Sequence, residues 1–280
     1  FDESGNYLWH HEITGPAIAD ALNQMMGDGD QFRGLVAATG SGGTIASGDY
    51  LKKHWPTSKI VACEALQCPT LLNNGFGAHR IEGIGDKHVP WIHNAKNTDM
   101  VIAIDDEVPM GMIRLFNEPN GRNLLLEQGV SPELVSQLDL VGISGAGNLA
   151  GAIKFAKYFE MTSKDVIVTV LTDSMDLYQS RLAELNQEKG PFEEKDAAVV
   201  FERSLQGLTI DFMQELSYYD KKRIHNLKYY TWVEQQGKSY EEIQRQWYDE
   251  TYWTSISESV DQIDDLIEAF NKKTGLLDTI

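Results

Sequence analysis

Five consecutive residues, Gly40-Ser41-Gly42-Gly43-Thr44, hold the clearest chemical content of this chain. They follow the apolar run Gly34–Ala38 and precede a stretch with helical spacing. A strand that runs into a glycine-rich turn and then a helix offers backbone N–H groups and the positive end of the helix to an anion. Ser41 and Thr44 add two hydroxyl donors. The turn lacks the Gly-Lys-Ser/Thr ending of a P-loop and the Gly-x-Gly-x-x-Gly spacing of a dinucleotide fingerprint. It predicts a compact cup for a single phosphate group. At this level the cup suits a nucleotide, a flavin or pyridoxal phosphate, or is simply a tight turn.

The remaining reactive residue types are less pointed. His10, His11, His79 and His88 match no metal-ligand spacing and read as loop or core histidines, so no metal is expected. Asp105-Asp106-Glu107 reads as a solvated loop or helix N-terminus, and the charge runs at 193–195 and 264–265 as solvated faces. Cys63 and Cys68 are too few for a zinc site or a disulfide scaffold; free thiols in a reducing cytoplasm are the expectation.

The elements that must position the cup follow an α/β pattern from residue 1 to about 190. Strands are predicted at Gly34–Ala38, Lys59–Ala65, Met100–Ile104, Leu140–Ile143 and Val166–Leu171, short and rich in Val and Ile as strands buried on both faces are. Helices are predicted near 44–54, 108–128, 132–138 and 147–159, the third capped by Ser131 with Pro132 in its first turn. From Asp196 to Ile280 the chain reads as helical, with no strand. Ser239–Glu242 and Ser255–Glu258 fit capping boxes there. Val260, Ile263, Ile267 and Phe270 keep helical spacing, closed by Lys272, Lys273 and Gly275. Trp232, Trp247 and Trp253 are expected to pack against the body or another subunit.

In 280 residues there are 42 acidic and 24 basic side chains, a net charge of −18, which disfavours nucleic acid or an anionic membrane as partner. No run approaches the ~18 apolar residues of a membrane span. Hydrophobic content of 42% fits a folded protein.

Several separate phrases, taken in order, resemble the second half of the cysteine synthase and cystathionine β-synthase family, the fold-type-II pyridoxal-phosphate enzymes. His10-His-Glu-Ile-Thr14-Gly15-Pro16 is similar to the family's His-x-x-x-Thr-Gly-Pro stretch, and Gly40–Thr44 to its phosphate loop. Lys59-Ile-Val-Ala-Cys-Glu64 resembles the strand ending in Val-Glu, and Glu82-Gly83-Ile84-Gly85 the Gly-Ile-Gly loop near the substrate. Gly142-Ile143-Ser144 resembles the segment whose serine faces the pyridine nitrogen, and Val168–Ser174 the closing Leu-Pro-Asp-Ser strand. The resemblance runs from residue 10 to about 182. Two departures mark a divergent subfamily: Gly-Ala-Gly-Asn follows Ser144 where Ser-Gly-Ala is usual, and Thr172 replaces the usual proline.

The resemblance implies a three-layer α/β fold, tryptophan-synthase-β-like, with a parallel-type sheet between helices, followed by an α-helical extension. Residues 1–190 would be the enzyme core and 191–280 the aromatic-rich extension. The implied cofactor is pyridoxal 5'-phosphate, held by Gly40, Ser41, Gly42, Gly43 and Thr44, with Ser144 on the ring nitrogen. A neutral hydroxyl there does not strongly favour a protonated ring, which fits β-elimination through an aminoacrylate better than transamination. The implied activity is β-replacement or β-elimination on a small amino acid. Threonine synthase-like or serine/threonine dehydratase-like chemistry is the close alternative. A noncatalytic phosphate-binding remnant stands as the rival from another class, and a nucleotide-binding α/β protein is the least favoured reading.

In this family the Schiff-base lysine lies well over a hundred residues before the phosphate loop, yet only 39 residues precede Gly40. Lys52, Lys53 and later lysines read as solvated charges, so none is assigned as catalytic. Opening at Phe1, the chain reads as a fragment, a processed product or a separate subunit. Alone it is expected to be inactive, and a missing N-terminal segment or subunit, or a family-like homodimer, is the expected partner.

Overall fold

Strands β1 (Gln31–Ala38), β2 (Lys59–Ala65), β3 (Met100–Ile104), β4 (Asp165–Thr169) and β5 (Met213–Glu215) form one sheet in the order β4-β1-β2-β3-β5. The computed structural model describes residues 1–85, 87–275 and 277. The first half of the chain adds helices α1 (Ser4–Trp9), α2 (Gly15–Met25), α3 (Gly43–His54), α4 (Thr70–Asn73), α5 (Glu107–Asn117), α6 (Pro119–Glu127) and α7 (Pro132–Ser136). Then come α8 (Ile143–Tyr158), α9 (Gln179–Lys189), α10 (Glu194–Phe201), α11 (Tyr218–Lys228), α12 (Tyr240–Tyr248), α13 (Tyr252–Ser257) and α14 (Val260–Thr274). The mixed α/β architecture expected from the sequence is the one observed.

β1, β2, β3 and β4 pair in parallel, so helices must cover both faces of the sheet. On one face Val36, Val61, Cys63, Met100, Ile102 and Ile104 meet buried residues of α5 and α8, such as Met112, Ile113 and Phe155. On the other, Leu35, Ala37, Ile60, Ala62 and Val101 meet Leu22 of α2 and Ile45 and Leu51 of α3. Successive residues of one strand thus serve opposite cores, which is why the strands read as unbroken apolar runs.

The structure overturns several expectations. Leu140–Ile143 is not a strand: a 3₁₀ turn at Leu138–Leu140 leads through Gly142 into α8, which begins at Ile143 rather than near 147. The single helix expected over 108–128 is two, because Pro119 forces Glu118 into extended backbone (ψ 147°). The region after residue 196 is not wholly helical. β5 pairs antiparallel with β3, Met100 opposite Glu215 and Ile102 opposite Met213. Ser255 caps nothing; it lies inside α13 and donates to the Tyr252 carbonyl at 2.8 Å.

Two other caps form, although the box expected at Ser239–Glu242 is only half made, because Glu242 Oε1 accepts from the Tyr252 hydroxyl at 3.0 Å. Ser131 accepts from the Leu134 amide at 3.2 Å, and Ser239 from the Glu242 amide at 2.9 Å. α14 ends with Gly275 in the left-handed region, but none of its residues is buried; Phe270 is 59% exposed.

The aromatic residues join the C-terminal helices to the body. Trp232 Nε1 donates to the Val89 carbonyl at 2.7 Å, and the Trp253 ring lies 5.3 Å from that of Tyr7. The buried Lys228 ammonium is held by the carbonyls of Trp91 and His93 and by Gln246 Oε1, at 2.7–2.8 Å. Of the expected 191–280 extension, residues 276 and 278–280 lie outside the described ones. Among the described residues no helix is long and apolar enough to cross a membrane.

Candidate functional site

The glycine-rich turn leaves the C-terminal end of β1 and enters α3, as its sequence demands. Gly42 has φ +83°, a left-handed backbone that a Cβ would strain, and this bend directs the turn into α3. A Cβ on Gly43 would meet Asn6 Oδ1 at 2.5 Å and His10 Cδ2 at 2.6 Å, so Gly43 is required by close approach rather than by its φ. His10 sits in a π-helical turn, His10–Thr14, between α1 and α2, with Nδ1 3.1 Å from Thr14 Oγ1. Burial holds its imidazole below the ordinary histidine value.

All six residues singled out for an anionic cofactor line one cavity of about 150 Å³. Gly40, Ser41, Gly42, Gly43 and Thr44 line it together with Ser144, Gly83, Ile84 and Thr172. Ser144, 6% exposed, lies in the first turn of α8, and its Oγ lies 3.0 Å from Thr172 Oγ1. The substitution of threonine for proline noted in the sequence therefore adds a hydroxyl partner for Ser144.

Asn148, one turn further along α8, ends the Gly-Ala-Gly-Asn departure noted in the sequence but was given no role there. Its Oδ1 accepts from the Ala38 amide and its Nδ2 donates to the Val170 carbonyl, both at 2.7 Å. One buried amide thus fixes the ends of β1 and β4 where both border the cavity. The only sequence hint was its place four residues after Ser144, on the same helical face.

A second set of contacts holds the Gly83–Gly85 wall. The Gly85 amide donates to the Thr39 carbonyl at 2.8 Å. Arg181 of α9 pairs with Glu82, and Tyr178, just before α9, donates to Asp173 Oδ2 at 2.9 Å. Residues 178 and 181 therefore hold two separate walls of the cavity.

The other candidates are dispersed. Asp105 and Glu107 are exposed at the N-terminus of α5, one of the two expected settings, but Asp106 between them is 5% exposed and bound by the Arg80 amide at 2.9 Å and guanidinium at 2.8 Å. Burial pushes its carboxyl up, but Arg80 outweighs burial and holds it below the usual range. Glu107 pairs with Arg80 and Lys189. Lys52 is not a freely solvated charge either, being 2.6 Å from Asp99. The runs at 193–195 and 264–265 are exposed. His11, His79 and His88 do not converge, and the described residues contain no group of three or more His, Cys, Asp or Glu placed for a metal. Cys63 and Cys68 are free and buried, and burial with Glu64 beside it pushes the Cys63 thiol up to about 12.

Glu64, at the end of β2, accepts from the Leu71 and Leu72 amides at 2.8 Å each. Burial nonetheless outweighs those bonds and raises its carboxyl to about 7.

No protein-family model matches the chain. A cysteine synthase from Staphylococcus aureus (strain Mu50) is 29% identical over 181 residues, covering 64% of this chain and 51% of that protein. Cysteine synthase B from Campylobacter jejuni is 32% identical over 181 residues, 64% of this chain and 52% of its own. The crystal structure of a hydrogen sulfide-producing enzyme from Fusobacterium nucleatum superposes with a TM-score of 0.53 at 25% identity, covering 71% of this chain and 53% of that one. The chain spans about half the length of the curated relatives it matches. In sequence and in fold, the chain is similar to the cysteine synthases over the part of their length that it spans.

Proposed function

We propose that this chain forms the phosphate-anchoring half of a pyridoxal-phosphate enzyme that acts on small amino acids by β-replacement or β-elimination. One observation carries the reading: the glycine-rich turn and Ser144, 100 residues apart in sequence, border the same cavity. The donor set fits the group. One end offers backbone amides, two hydroxyls and the N-terminus of a 12-residue helix, all suited to a phosphate. The other offers a hydroxyl pair suited to a neutral ring nitrogen.

When bound, pyridoxal phosphate supplies an electron sink for charge at an amino acid's Cα. This chain's residues anchor and orient. The amides and hydroxyls of 40–44 hold the phosphate, and Ser144, steadied by Thr172, donates to the ring nitrogen. Asn148 keeps the two strand ends at a fixed spacing, and Gly83–Ile84 form another wall of the cavity. Among the described residues no lysine lines the cavity. We assign the covalent lysine to the part of the relatives that this chain does not span, supplied by a preceding segment or a partner.

The full-length gene product with pyridoxal phosphate should absorb near 410–420 nm, roughly where any lysine imine of this cofactor does, and borohydride should bleach the band. The 280-residue chain alone should show little of it. A full-length product without the band would overturn the enzyme reading.

A further inference from the structure

Resting on the phosphate reading of Gly40–Thr44, we propose that Asn6 is a positioning residue that aims the Ser41 hydroxyl proton into the cavity. Asn6 lies in α1, outside every motif of the sequence, yet its Nδ2 donates to Ser41 Oγ at 2.9 Å. The Gly43 amide also approaches the same oxygen, at 3.4 Å. An amide nitrogen and a backbone N–H can only donate, and a hydroxyl has two acceptor lone pairs and one proton. With both lone pairs occupied from the protein side, the Ser41 proton is left for the cavity, which Ser41 lines. The hydroxyl is thereby fixed as a donor before any anion arrives, and no rotor need be frozen on binding.

Three further contacts indicate that Asn6 is built into this place. Asn6 Oδ1 occupies the space a Cβ of Gly43 would need. Its neighbour Tyr7, buried, donates to Asp49 Oδ2 at 2.9 Å, which fastens α1 to α3. Ser47, also on α3, donates to the His10 carbonyl at 3.1 Å and holds the following turn. The chain just after Asn6 is thus clamped to the helix whose N-terminus makes the cup.

The test is a cycle of N6A, S41A and the double variant in the 280-residue chain. Inorganic phosphate is the probe, followed through the amide resonances of residues 40–44. Each single variant is expected to weaken phosphate binding about fivefold, the size of one neutral hydrogen bond. The double variant is expected to bind no worse than S41A, because Asn6 acts only through that hydroxyl. Pyridoxine 5'-phosphate, which carries the same phosphate ester, should repeat the pattern. Thermal unfolding without phosphate reports any purely structural effect, which would appear equally in N6A and N6A/S41A. The proposal is overturned if N6A binds phosphate as the parent does, or if its loss persists undiminished in the S41A background. A parent chain whose 40–44 amides ignore phosphate would overturn the phosphate reading itself, and this proposal with it.

Discussion

The hydroxyl oxygens of Ser144 and Thr172 lie 3.0 Å apart and tie the first turn of α8 to the chain just beyond β4. Proline, the usual residue in the position of Thr172, has no group to offer there. A side chain without a hydroxyl at 172 could not make this contact. Ser144→Ala and Thr172→Val should each destabilise the chain, and the double variant should show a coupling of about 1 kcal/mol in urea unfolding. Strict additivity would mean that the two hydroxyls do not depend on one another.

Gly42 and Gly40 should respond differently to alanine. At Gly42 the φ of +83° is strained for any Cβ, which would also press on Pro90 Cβ at 3.2 Å. G42A should therefore cost about 1–2 kcal/mol of stability and also weaken phosphate binding. A Cβ on Gly40 meets only ordinary contacts, the nearest being the Gly83 carbonyl at 3.5 Å. G40A should leave the melting temperature nearly unchanged while crowding the cavity, so calorimetry with and without phosphate separates the two roles.

Glu64 gives a pH dependence with a definite sign. Its carboxyl is raised to about 7 by burial, so the folded state holds the proton more tightly than the unfolded chain does. The stabilisation is complete below the unfolded value, about 4.5, and is lost as pH rises through about 7. Denaturant midpoints of the parent should fall across that window relative to those of Glu64→Gln, by up to about 3 kcal/mol in stability. Parallel profiles for the two proteins would refute the assignment.

Arg181→Gln should loosen the wall formed by Gly83–Gly85. The pair Arg181–Glu82 bridges 99 residues, and without the arginine Glu82 loses its partner beside the cavity. Hydrogen exchange at the Gly85 amide, which is bonded to the Thr39 carbonyl, should quicken by about tenfold. The Leu35 and Val61 amides in the sheet should not change, which distinguishes a local effect from a global one.

The sheet was legible where burial was two-sided and the run ended in a turn. β2 and β3 have the bounds read from their Val- and Ile-rich runs. Leu140–Ile143 misled because a four-residue apolar run has no period of its own; the chain passes through a single extended residue, Gly142, straight into α8. β5 carried no signal, since Met213-Gln214-Glu215 becomes a strand only by docking on the edge of β3. At the site, glycines and serines in motifs were readable. Asn6, Asn148 and Arg181 were not, because each acts on a residue distant in sequence through one or two hydrogen bonds, and spacing does not encode such pairs.

β4 is the outermost strand on its side of the sheet, paired with β1 alone among the described residues. Val166, Ile167 and Val168 are only half-buried, and Leu171 beyond them is 48% exposed. An apolar outer strand with a free row of amides and carbonyls is a template for another chain. The strand that leads into the cavity wall at Val170 and Thr172 is therefore also an aggregation hazard of this chain in isolation. The net charge of −18 opposes such stacking, and Asp165, held by Arg33 at 2.5 Å, stands at the strand's start. Because added salt screens that charge, the shelf life of the isolated chain becomes a question of ionic strength.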